Sequence, residues 1–356
     1  MFGKKKNEGV TEQAVMDALA TVIEPELHRD LVSLNMIRNL EILGNDVTFT
    51  IMLTTPACPL KGTMEADSRA ALAKVDGIGN ITVNWDANVP ADQRIKEQLG
   101  QSFRNTIAVS SGKGGVGKST VSVNLAISLA QQGARVGLLD ADILGPNVPM
   151  MMGVDKMPPP QNRKMIPAEN YGVKFISMAF LVEPDQPLIW RGPMLHSAIR
   201  QLLTDVEWGE LDYLIVDLPP GTGDAQLTLA QVLPLTGTIV VTQPMQVAAS
   251  DAIRGLKTFE KLEVPILGVV ENMSGEIFGT GAGSQLAETY ETEFLGSVPM
   301  DANIRMGGDA GKPVVVAYPE SPAADALTTI AQKVAAKVSV LTLQQDKNFI
   351  PIQMIG

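Results

Sequence analysis

The rhythm of apolar and polar positions changes near residue 105. From Asn105 to about Leu343, short apolar runs alternate with stretches whose apolar residues recur at helical spacing. The runs 106–110, 135–140, 173–178, 212–217, 237–242, 265–270 and 294–298 read as strands. Strands separated by helices predict an α/β unit with a mainly parallel, doubly wound sheet. Ligands of such sheets bind beyond the carboxyl ends of the strands. Ala323 to Val338 reads as an amphipathic closing helix with Ile330, Val334 and Val338 turned inward.

Ahead of that unit the pattern is shorter and mixed. Residues 9–90 read as a small α+β domain. Thr11 caps a helix through Ala20, with Val15, Leu19 and Val22 on one face. Val47 to Leu53 alternates like a half-buried strand, Gly62 to Val75 reads as a helix, and Ile81 to Trp85 as a further strand. Residues 91–104 are polar and read as a linker, with a helix expected over Ala91 to Leu99. Residues 344–356 are left as a tail.

Between the first large-domain strand and its helix lies Ser110-Ser111-Gly112-Lys113-Gly114-Gly115-Val116-Gly117-Lys118-Ser119-Thr120. A G-x-x-x-x-G-K-[ST] run in a strand–loop–helix setting is a P-loop, the phosphate cradle of nucleoside triphosphatases. The glycines let backbone N–H groups turn inward, and the following helix points its positive end at the same anion. Lys118 is expected to reach the β/γ-phosphates of ATP and Ser119 to offer its hydroxyl to Mg²⁺. Residues 112–120 together form the expected nucleotide cradle.

Two more strand ends carry acids. Arg135 to Asp140 closes in Asp140-Ala141-Asp142, and Leu214-Ile215-Val216 closes in Asp217. Carboxylates beside a phosphate site suit a hydrated metal and an attacking water. Asp140 and Asp217 are assigned to Mg²⁺ and Asp142 to the water, although a lone acidic pair is also what a turn or helix cap uses. Pro219-Pro220-Gly221-Thr222-Gly223-Asp224 reads either as a switch that rearranges on loss of the γ-phosphate or as a rigid connection.

In the small domain two prolines flank Ala57-Cys58 just before the second helix. That position favours a lowered thiol pKa, while a buried thiol would be inert. It is the one cysteine of 356 residues, so no intramolecular disulfide forms, which suits a reducing cytoplasm. The net charge of -11 argues against a nucleic-acid surface. The basic start has no apolar stretch after it, so a signal peptide is not expected. No apolar run approaches the ~20 residues of a membrane span. His28 and His196 lack metal-ligand spacing.

The loop Gly112-Lys113-Gly114-Gly115-Val116-Gly117-Lys118-Ser119-Thr120 resembles the deviant Walker A loop of the MinD/ParA/nitrogenase-reductase class. The resemblance implies that Lys113 reaches a partner subunit's nucleotide, hence a homodimer. The segments 140–149, Ile189 to Met194, 217–224 and Glu271-Asn272-Met273-Ser274 resemble the Mrp/ApbC family, P-loop ATPases described as iron–sulfur cluster carriers. Glu24-Pro25-Glu26-Leu27, 30–34 and 54–60 are similar to the small SufT-like domain of iron–sulfur assembly, with Glu24 where that family has aspartate. By this resemblance Asn272 bonds adenine, Pro299 and Asp301 lie near the base, Trp190 and Arg191 belong either to the dimer face or to a buried pair, and Cys58 is the functional thiol.

One departure matters. Cluster-carrying members have a C-x-x-C after the Glu-Asn-Met-Ser stretch, which in a dimer supplies four thiolates for a [4Fe–4S] cluster. Here the chain runs Ser274 to Gly283 without a cysteine. Expected is therefore a slow, cytoplasmic, dimeric Mg²⁺-ATPase that loads or transfers clusters to apoproteins. The rival is an ATP-gated assembly scaffold that carries no cluster. A membrane-cycling or DNA-partitioning ATPase would want a basic surface that this composition lacks.

Overall fold

The computed structural model describes residues 10–99, 103–142, 145–181, 192–221, 226–228 and 232–345. Trp190, Arg191, the turn residues 222–224 and most of the expected tail lie outside the described residues. The chain divides into two units at Val89/Pro90.

The first unit holds helix α1 (Glu12–Leu19), the short pair β1 (Ile23–Glu24) and β2 (Arg29–Asp30), strands β3 (Ile37–Leu43) and β4 (Asp46–Leu53), helix α2 (Lys61–Leu72) and strand β5 (Ile81–Ala87). Thr11 caps α1 by accepting from Ala14 N, as its position suggested. The sheet order is β3-β4-β5, with β3/β4 antiparallel and β4/β5 parallel through α2. Val15, Leu19, Val47, Phe49, Ile51, Met64 and Leu72 form its core. Strand β3 was not anticipated. Asn39 sits at φ 48° and the register shifts between Arg38 and Glu41, so the bulge breaks the period-2 pattern that would have shown it.

The second unit begins earlier than the rhythm suggested. The expected linker 91–104 carries helix α3 (Gln93–Leu99) and the start of strand β6 (Phe103–Ser111). Ile95 and Phe103 belong to the main core, fully buried Asp92 pairs with Arg94, and Asn105 donates to Pro90 O. Exposed Gln93, Arg94, Glu97 and Gln98 give the segment its polar look, while Ile95, Phe103 and Asp92 are buried.

Beyond β6 come α4 (Lys118–Gln131), β7 (Val136–Asp140), α5 (Val148–Met151), β8 (Ala168–Asn170), β9 (Val173–Ser177), α6 (Gly192–Thr204), β10 (Leu211–Asp217), β11 (Gly237–Thr242) and α7 (Gln246–Lys261). The last third holds β12 (Ile266–Ser274), α8 (Ala282–Thr289), β13 (Phe294–Pro299), α9 (Ala302–Asp309), α10 (Val314–Ala317) and α11 (Pro322–Gln345). The eight strands are ordered β13-β12-β11-β6-β10-β7-β9-β8, parallel except for the β8/β9 pair.

Strands β6, β7, β10 and β11 are almost wholly buried, as apolar runs without alternation require. From central β6 the neighbours run opposite ways, to β10 and β7 on one side and to β11 and β12 on the other. The loop after β6 thus opens at the sheet's switch point. Helix α11 runs past its expected end because Ser339 and Thr342 face inward, Thr342 Oγ1 meeting Asn105 Oδ1 at 3.0 Å. Polar residues on a buried face mimic a helix end in the sequence.

Candidate functional site

The loop between β6 and α4 is shaped by its glycines. Gly115 and Gly117 take φ 80° and 84°, the left-handed region that glycine enters without steric cost. A Cβ on Gly112 would strike the backbone of Asp251 on α7. The loop's carbonyls are held from outside. Ser111 Oγ donates to Lys113 O at 3.0 Å and Asn272 Nδ2 to Val116 O at 2.9 Å. Gly221 N donates to Ser111 O at 2.9 Å, which ties the turn after β10 to the loop.

Three carboxylates and one ammonium converge at the strand ends. Lys118 Nζ lies 2.8 Å from Asp217 Oδ1 and 3.8 Å from Asp142 Oδ2. Ser119 Oγ and Ser122 Oγ both donate to Asp217 at 2.6 Å. Asp140 accepts from Ser177 Oγ at 2.7 Å and from the backbone N–H of Asp142 and Val148. Asp140 and Asp217 are fully buried. Burial, then the negative charge of Asp217, pushes the Asp140 carboxyl well above the usual carboxylate range, against the pull of Ser177 and Lys118. One cation facing three acids leaves room for a divalent ion, and the donors at hand are all oxygen, the set Mg²⁺ prefers. Ser119, Asp140 and Asp217 therefore fit that ion.

Lys113, Gly114, Gly115, Gly117, Lys118, Ser119, Thr120 and Asp142 line a cavity of about 240 Å³. Among the described residues Lys113 has no ion-pair partner. A second cavity, of about 490 Å³, shares Thr120, Asn147 and Met151 with the first. Asn272, Pro299 and Asp301, the three residues assigned to the base, all line it. Asp301 also caps α9 by accepting from Asn303 N at 2.8 Å. Met150, Met273, Met300 and Ile304 supply apolar walls. A glycine cradle that shares lining residues with a larger, mostly apolar cavity suits a nucleotide.

A family model described as the NUBPL iron-transfer P-loop NTPase (ParA) matches residues 102–335. The chain belongs to that family. A model for iron–sulfur cluster assembly proteins matches residues 12–85. The iron–sulfur cluster carrier protein of Deinococcus radiodurans is 50% identical over 351 residues, covering 95% of this chain and 99% of that one. The protein of the same name from Escherichia coli K12 is 40% identical over 337 residues, covering 91% of each. Among solved structures, the nucleotide-binding protein of Archaeoglobus fulgidus in complex with ADP is 38% identical with a TM-score of 0.54, covering 62% of this chain and 92% of that one. The cell division ATPase MinD of Pyrococcus furiosus, 24% identical with a TM-score of 0.51 over 65% of this chain and 98% of that one, shares the fold.

For the Cys58 thiol the sequence left two readings, one lowered by position and one buried and inert, and burial bears on the second. Cys58 lies two residues before the N-cap of α2 and accepts from Leu60 N at 3.4 Å, yet its thiol is pushed up to about 11. Burial outweighs the Leu60 N–H, and the nearby carboxylates of Glu26 and Glu24 add to the rise against Lys61. Glu24 is itself buried, raised by that burial, and held by Leu27 N. No group of three or more His, Cys, Asp or Glu able to hold a metal occurs among the described residues. His28 and His196 are both exposed.

Sequence reasoning missed three side chains at the NTPase site. Ser122 sits one turn beyond Lys118 and Ser177 ends a strand beside Asp140, both readable as hydroxyls on the ligand side of the sheet. The third, Gln243, follows β11 and reaches Gly115 O. No pattern in the sequence marks it.

Proposed function

We propose that this protein is an ATP-hydrolysing iron–sulfur cluster carrier that binds clusters and passes them to apoproteins as an ATP-dependent dimer. The observation that carries the reading is the convergence of Lys118, Ser119, Asp140, Asp142 and Asp217 on one side of a glycine cradle that adjoins a larger apolar-walled cavity. Names of relatives that match nearly end to end support the cargo.

In this reading the amides of residues 112–120 hold the phosphates, and Lys118 exchanges Asp217 for the β/γ-phosphate oxygens. Ser119, Asp140 and Asp217 would hold Mg²⁺, which would neutralise charge developing on the phosphoryl oxygens. Asp142 orients the attacking water. Lys113, without an ion-pair partner among the described residues, supplies a cation across the dimer, the role an arginine finger plays elsewhere. Asn272, Pro299 and Asp301 frame adenine. Hydrolysis is slow and coupled to dimer geometry. A lone reduced thiol suits the cytoplasm, and no described helix is long and apolar enough to cross a membrane.

The cargo is where the residues fit least well. A [4Fe–4S] cluster wants four thiolates, and two copies of this chain hold two. That count favours the second reading, an ATP-gated scaffold that grips partners without a cluster. Anaerobic reconstitution with iron and sulfide separates them. A stoichiometric chromophore that is lost in Cys58→Ser and moves to an apoprotein establishes the carrier. Its absence at every iron and sulfide ratio establishes the scaffold.

A further inference from the structure

We infer that Gln243 is a positioning residue of the phosphate cradle, acting through the Gly115–Val116 peptide. This rests on the reading of the loop as a nucleotide-phosphate site.

Gln243 is 6% exposed and immediately follows β11, whose Val241 pairs with Ser111 at the mouth of the loop. Its Nε2 donates to Gly115 O at 3.4 Å and to Met273 Sδ at 3.0 Å. A carbonyl only accepts, so the end of the side-chain amide that faces it is the NH₂. Gln243 is not among the residues that line the phosphate-sized cavity, so it grips the carbonyl from behind.

In a trans peptide the C=O of one residue and the N–H of the next point opposite ways. Gly115 lines the cavity, so fixing its carbonyl oxygen sets the direction in which the Val116 N–H of the same peptide points. The same logic covers the neighbouring peptides. Ser111 Oγ on Lys113 O aims Gly114 N–H, and Asn272 Nδ2 on Val116 O aims Gly117 N–H. Ser111 at the end of β6, Gln243 just after β11 and Asn272 on β12 thus hold three of the loop's carbonyls, those of Lys113, Gly115 and Val116.

The Gly115 peptide has most need of such a hold. Consecutive glycines have no Cβ to resist rotation, and Gly115 already sits at φ 80°. Without the Gln243 donor that peptide turns at little cost and the cradle loses an N–H aimed at anionic oxygen. A hydrogen bond to a charged group is among the stronger ones, so its loss is measurable in affinity.

The test is isothermal titration of the full chain and Gln243→Leu with ADP, Mg·ATP and adenosine. The variant removes the donor and keeps the bulk. ADP and Mg·ATP are expected to bind about tenfold more weakly and by equal factors, while adenosine keeps its affinity. Unchanged ADP affinity overturns the inference, and so does an equal loss for adenosine, which would place Gln243 in base binding or general folding. If Gln243→Leu fails to fold, Gln243→Met, which keeps the side-chain length, is read by the same criteria. Failure of the unaltered chain to bind ADP overturns the nucleotide reading itself, a result distinct from either of these.

Discussion

Lys118 Nζ rests 2.8 Å from Asp217 Oδ1, so the loop lysine, only 5% exposed, is held by the acid that ends β10. The pair links the phosphate cradle to the strand that leads into the 219–224 turn. Breaking a buried pair from one side leaves the other charge stranded. Lys118→Ala is therefore expected to abolish nucleotide hydrolysis and also to lower stability by about 3–5 kcal/mol. Chemical denaturation beside an ATPase assay reads both. Replacing Asp217 by Asn in the same background should recover much of the stability and none of the activity.

Lys113 carries a different expectation because it has no ion pair within the described chain. Lys113→Ala should leave ADP and ATP affinity near the original while turnover falls by a factor on the order of 10³. Equilibrium binding with a fluorescent nucleotide, set against steady-state phosphate release, is the measurement. Full turnover in this variant refutes a role across the dimer.

In the proposed reading the oxygen donors around Asp140 and Asp217 would hold the divalent ion on which turnover depends. Chelation with EDTA should stop phosphate release, and added Mg²⁺ should restore it. In Asp217→Asn, Mg²⁺ up to high concentration should fail to restore it. Restoration would place the ion on other ligands.

Cys58 gives a pH dependence of known sign. Its folded thiol titrates at about 11 against an ordinary value of 9.0, so the folded chain keeps a proton that the unfolded chain sheds first. The resulting stability is complete below pH 9 and is lost as pH rises toward 11. Melting temperature should fall across that window, and Cys58→Ser should remove this component of the fall. Alkylation by iodoacetamide should be slow at pH 7 and accelerate up to about pH 11. A thiol that reacts at full rate near pH 7 would show the thiolate to be stabilised after all.

The sequence alone determined the chemistry that depends on contiguous residues. A phosphate loop needs its glycines, lysine and hydroxyls within one turn, so residues 112–120 are legible as a string. The strands that carry Asp140 and Asp217 are buried on both faces and close in apolar runs, Leu138-Leu139 and Leu214-Ile215-Val216, which announce their ends. The base-site residues Asn272, Pro299 and Asp301 came only through resemblance, and the structure brings all three to one cavity.

Tertiary structure decided what rests on burial and on distant partners. Whether Cys58 is a thiolate depends on desolvation and on Glu24 and Glu26, more than thirty positions earlier in the chain. Local sequence showed the helix end that follows it and left burial open. The supposed linker proved to be packed because Asp92, Arg94 and Asn105 find partners inside the unit. Gln243 lies 128 residues from the carbonyl it holds. A hydrogen bond between two strand ends leaves no periodicity, so folding alone discloses it.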